Sequence, residues 1–105
     1  MKRLALLLLM PVGIAYAGNG SGLINKIGVR QADVVVFNVE NHTDKPDCNT
    51  VGDEWSISLA TENGKSMYAL LLSAAAQHKS VAVVGTGECQ AWSDRETPLY
   101  IESTF

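Results

Sequence analysis

The chain has 105 residues, 8 Lys and Arg against 11 Asp and Glu, and 47% apolar residues. That length accommodates one small domain and excludes a large multidomain enzyme. Past residue 17 the balance is 6 basic against 11 acidic residues, which argues against nucleic acid or an anionic lipid surface as a partner.

Lys2 and Arg3 give a positive start, Leu4 to Ile14 is an apolar stretch, and Ala15-Tyr16-Ala17 sets small residues where a signal peptidase needs them. Residues 1–17 are therefore expected to be a cleaved secretory signal. A spanning helix needs roughly 20 apolar residues, and Pro11 and Gly13 interrupt this stretch, so membrane insertion is not expected. No cysteine follows the junction to carry a lipid. The expected product is secreted or periplasmic and begins at Gly18. In an oxidising compartment a chain with two cysteines has one available bridge, Cys48–Cys89. Two buried free thiols are the alternative, and the absence of CxxC spacing speaks against zinc.

Gly18-Asn19-Gly20-Ser21-Gly22 reads as a flexible arm, followed by a single domain over 23–105. Leu23 to Arg30 and Asp33 to Glu40, the latter rich in valine, read as strands joined by a short turn at Arg30-Gln31-Ala32. Asn41 to Glu54 is polar, carries Pro46 and Gly52, and reads as a loop tied down by Cys48. Trp55 to Ala60 alternates large apolar with small residues, the period of a strand with one face in a core. A helix is expected from about Lys65 to Lys79, capped by Asn63 or Ser66. Ser80 to Thr86 is a short buried strand, Gly85 to Asp94 a loop with Cys89 and Trp92, and Pro98 to Ser103 the last strand. Five strands with a helix between the third and fourth predict a mainly β fold, a Greek-key barrel of the oligonucleotide/oligosaccharide-binding (OB) type with one disulfide. A small β-sandwich with one helix is the alternative.

The helix has no charged residue between Ser66 and Gln77. A helix resting on one barrel normally shows water a wide charged face, so this one is expected to be covered on two sides. Ala69, Leu72 and Ala76 lie on the side away from the barrel and are the expected contacts of an oligomer. The alternative is that the polar loop before Trp55 covers them.

Catalysis has little support. His42 and His78 lie in different elements, outside any HExxH or nucleophile-elbow context. His42, Asp44 and Asp47 read as a solvated turn rather than a metal site, and Gly85-Thr86-Gly87 lacks the context of a dinucleotide loop. No cofactor or metal is expected. Trp92, bordered by Gln90, Ser93, Asp94, Arg95 and Glu96, suits stacking on a sugar whose hydroxyls Asp94 and Arg95 would bond. The competing expectation packs Trp92 on the disulfide. Asn41-His42-Thr43 and Asn19-Gly20-Ser21 match glycosylation acceptors but follow a bacterial-looking leader.

The stretch GKSMYALLLSAAAQHKSVAVVGTGEC, with Cys48 following a valine-rich strand and the closing strand LYIES, resembles small secreted bacterial proteins related to the B subunit of subtilase cytotoxin. The resemblance spans about Leu23 to Ser103 and is one of pattern. It implies an oligosaccharide-binding barrel and, in the toxin members, a ring of five subunits whose helices face a central pore, binding host glycans and carrying an enzymatic A subunit. No sugar-contacting residue transfers to this chain, and an A-type partner stays open. The expected function is that of a secreted, non-enzymatic binding module, carbohydrate-recognising and oligomeric. The alternative is a monomeric periplasmic structural or interaction protein, such as an inhibitor or accessory factor. Closing the 41-residue separation of the cysteines stabilises a chain by about 4 kcal/mol in the chain-entropy treatment. Cys48→Ser is therefore expected to lower the unfolding free energy by a few kcal/mol, read from urea melts, and an unchanged melt would exclude a stabilising bridge.

Overall fold

In the computed structural model, which describes residues 17–105, five strands and one helix follow in the order β1 (Asn19–Arg30), β2 (Val34–Thr43), β3 (Trp55–Ser58), α1 (Glu62–Ala76), β4 (Val81–Gly85) and β5 (Pro98–Ser103). Residues 1–16 of the expected signal peptide, 1–17, lie outside the described residues. The strands form one sheet in the order β3-β2-β1-β4-β5, with every neighbouring pair antiparallel. The chain is thus mainly β with its helix between the third and fourth strands, and Cys48 and Cys89 are bonded. The two outer strands also meet. Trp55 forms an isolated parallel bridge with Glu96, and Ser56 N–H donates to the Glu96 carbonyl at 2.9 Å.

Alternation along the strands sends one set of side chains to a common core. Val35, Phe37 and Val39 come from β2, Trp55 and Ile57 from β3, Val81 and Val83 from β4, and Ile101 from β5. The helix adds Met67, Leu71 and Ala74, spaced four and three apart so that they stack on one face. Burying an aliphatic side chain of this size stabilises by about 1.5–3 kcal/mol.

The chain start departs most from expectation. Residues 19–22, expected to be a flexible arm, belong to β1 and pair on both sides: Gly20 lies opposite His42 of β2 and opposite Val83 of β4. The same pairing extends β2 to Thr43, so Asn41 to Thr43 are strand rather than loop. The physical reason is close approach. A Cβ on Gly20 would sit 3.0 Å from the Trp55 ring, and one on Gly18 only 2.3 Å from the Glu96 carboxylate. Gly20 in β1, and Gly18 just before it, are therefore inward positions pressed against large side chains, and the outward positions Asn19 and Ser21 are polar and exposed. Bulges between Ser21 and Lys26 let β1 bend where its pairing with β4 stops and that with β2 continues.

The helix begins three residues earlier than its polarity suggests. Thr61 is the N-cap, its hydroxyl accepting the Gly64 N–H at 2.9 Å. Asn63 and Ser66, the expected caps, lie inside the helix. It also ends earlier, at Ala76. His78 N–H donates to the Ala75 carbonyl (3.2 Å) and Lys79 N–H to that of Ala74 (2.9 Å), with His78 at φ 54°. These two bonds are the Schellman pattern, with a histidine where glycine is usual.

A β-carbon in the left-handed region costs about 1–2 kcal/mol. His78→Gly is expected to raise stability by about 1 kcal/mol, seen as a higher urea midpoint at unchanged slope.

Candidate functional site

Glu96 lies between the disulfide loop and β5, and its side chain is fully buried. A buried carboxylate must recover in the protein the hydrogen bonds it loses from water. Its Oε2 accepts the backbone N–H of Gly18 (2.8 Å) and of Gly87 (2.9 Å). Its Oε1 lies 3.0 Å from His42 Nε2, whose side chain is equally buried. The other ring nitrogen, Nδ1, lies 2.9 Å from the Asp53 carbonyl, which can only accept, so Nδ1 carries a proton. The imidazole stacks on the Trp55 indole, with centroids 3.8 Å apart and planes 12° from parallel. Trp55 Nε1 has no partner among the described residues.

The backbone of Glu96 is equally engaged: its N–H donates to Asn49 Oδ1 at 2.7 Å and its carbonyl accepts from Ser56. His42, expected to lie in a solvated turn with Asp44 and Asp47, is a buried residue of β2. No group of three or more His, Cys, Asp and Glu able to hold a metal occurs among the described residues. No sequence motif marks the His42–Glu96 pair, because its members are 54 residues apart. The one local sign was the alternation of glycine with polar residues over 18–22, which is a strand period.

Trp92, Asp94 and Arg95 do come together. Arg95 N–H donates to the Trp92 carbonyl at 3.2 Å. The Arg95 side chain, however, is turned onto protein carboxylates: Nε donates to Glu54 Oε1 (2.6 Å) and Nη1 to Asp94 Oδ1 (2.5 Å), and the residue is only 7% exposed. Lys26 holds the other oxygen of Glu54 at 2.5 Å. Arg95 and Asp94 therefore engage each other and Glu54. Trp92 is partly exposed, outside the main core cluster, with the Arg30 guanidinium 5.8 Å from its ring centre.

A groove of about 490 Å³ opens between the start of α1, the end of β3 and the start of β5. Ile57, Met67 and Pro98 supply apolar lining, Asn63, Gln90 and Thr97 supply polar groups, and no charged residue lines it. Thr97 fixes one wall: its hydroxyl accepts the N–H groups of Gln90 (3.0 Å) and Ala91 (3.1 Å), and its carbonyl accepts the Thr86 hydroxyl (2.7 Å). Trp92, Asp94 and Arg95 are not among its lining residues. Ala69, Leu72 and Ala76 are all exposed on the outward side of α1, Leu72 to 46%. The polar loop before Trp55 does not cover them.

Comparison with protein-family models, curated proteins and solved structures gave no match.

Burial opposes ionisation of Glu54, but hydrogen bonds and charge from Lys26 and Arg95 outweigh it and hold the carboxyl below its ordinary value of 4.5. A carboxylate whose folded pKa is depressed contributes stability above its unfolded pKa and loses it as pH falls through the folded value. Urea melts of the oxidised protein are expected to lose stability as pH drops from 5 toward 3, and Glu54→Gln is expected to lose less over that interval.

Proposed function

We propose that this chain is exported with loss of residues 1–17 and acts as a non-enzymatic binding module of the OB type, taking a neutral carbohydrate in the groove between α1, β3 and β5. The observation that carries this reading is the groove's lining, in which amides and hydroxyls surround apolar side chains without a charge. An uncharged polyol needs hydrogen-bond partners and apolar contact for its ring faces, and gains little from a fixed charge. The strand order β3-β2-β1-β4-β5, with the Trp55–Glu96 bridge drawing β3 toward β5, supports a closed OB-type barrel. The resemblance to B subunits of subtilase cytotoxin type points the same way. The absence of an enzymatic role is supported by the complete burial of His42 and Glu96, since an acid–base pair must reach its substrate.

Assembly belongs to the same reading. Ala69, Leu72 and Ala76 form an exposed strip of α1 with no charged residue from Ser66 to Gln77. The occupant proposed for it is a second copy of the chain, with small alanines admitting close helix approach.

A glycan array probed with the oxidised mature protein is expected to give signal that Asn63→Ala and Gln90→Ala remove without changing the melting temperature, because both side chains are exposed. Signal lost with Trp92→Ala alone would move the site to the partly exposed Trp92 ring. No signal, together with a sedimenting monomer, would favour an interaction protein. Sedimentation is expected to show an oligomer that Leu72→Lys dissociates.

A further inference from the structure

Gly18 is buried, whereas Ala17 before it is exposed. The Gly18 nitrogen donates to Glu96 Oε2 at 2.8 Å inside the protein. The sequence sets the expected cleavage point at this same Ala17–Gly18 bond. We infer that leader removal at this bond creates a buried α-ammonium on Gly18 that pairs with the Glu96 carboxylate, so that processing completes the polar cluster of Glu96, His42 and Gly87. This rests on the export reading proposed above.

In the cleavage, water adds across the Ala17–Gly18 amide: the Ala17 carbonyl leaves on the leader as a carboxylate, and the Gly18 nitrogen takes up protons to become an ammonium at neutral pH. A leader peptidase is the protease class required. The amide N–H that served as a neutral donor becomes a cationic donor to the same oxygen, and hydrogen bonds between charged partners are shorter and stronger than neutral ones. The position is specific to one residue. A chain beginning at Asn19 would lose both this donor and the Gly18 carbonyl, which accepts the Gly85 N–H at 2.8 Å. A chain beginning before Gly18 would place its charge on an exposed residue or further upstream. The glycine at 18 fits the role, since any side chain there would strike Glu96.

The test expresses the full-length gene in an exporting Gram-negative host and measures the intact mass of the purified product. Its amines are then acetylated with an activated acetate ester, natively and in urea, with the N-terminal peptide and the exposed Lys79 followed by mass spectrometry. The expected result is a product starting at Gly18 whose α-amine reacts at least tenfold more slowly in the native than in the unfolded protein, while Lys79 changes little. Glu96→Gln is expected to remove most of that protection; if this variant does not fold, the native-to-unfolded comparison of the unmutated protein decides. A Gly18 start with an amine as reactive as in urea would overturn the ion pair and leave the export reading standing. A product that keeps its leader, or begins at another residue, would overturn both the pairing and the proposed cleavage point.

Discussion

A carboxylate taken out of water needs donors for both of its oxygens, and in this protein that demand falls on Glu96. Gly18 at the mouth of β1, His42 at the end of β2 and Gly87 after β4 converge on its two oxygens. Ser56 of β3 and Asn49 of the disulfide loop bind its backbone. Five segments distant in sequence are thus fixed by one residue. Leaving a buried hydrogen-bonding group without its partner typically costs about 1–3 kcal/mol, more where the group is charged, so the loss of any one of these contacts weakens the rest. The His42–Glu96 pair need not be stronger than an apolar replacement. Its effect is directional, since few arrangements of the five segments satisfy all the bonds at once.

The disulfide acts on the same region from the other side. Cys48 and Cys89 tie the loop before β3 to the loop after β4, and Thr50 N–H donates to the Asp94 carbonyl at 3.1 Å as a second link between them. Thr97, next to Glu96, then fixes Gln90 and Ala91 along the groove. The groove wall is therefore set by the segment that carries the buried carboxylate, even though that carboxylate does not line it. This arrangement separates rigidity from recognition: neither the buried Glu96 nor the Lys26–Glu54–Arg95–Asp94 network lines the groove, which is lined by neutral groups.

Much of the architecture is legible in the sequence. Valines at 34–36 and the alternation at Trp55, Ile57 and Leu59 carry the period of strands, and the uncharged run from Ser66 to Gln77 carries a helix; each forms close to where the pattern places it. Composition misled where side chains are small or polar for reasons of space. Gly18 and Gly20 look like a linker by composition, yet Gly20 lies in β1 and Gly18 is buried just before it, because Glu96 and Trp55 leave no room for a Cβ at either position. The ion pair of Arg95 with Glu54 is hidden for a related reason: the two are 41 residues apart, so neither is a local neighbour of the other.

What the amino-acid sequence determined by itself was therefore short-range: which segments are strands, which is the helix, and that two cysteines have a single way to pair. Periodicity and count are local quantities, so they can be read along a chain. The burial of His42 and Glu96, the use of Arg95 within the protein and the neutral lining of the groove were decided only in three dimensions. Each depends on desolvation and on partners tens of residues apart, and no property of a residue's sequence neighbours measures either.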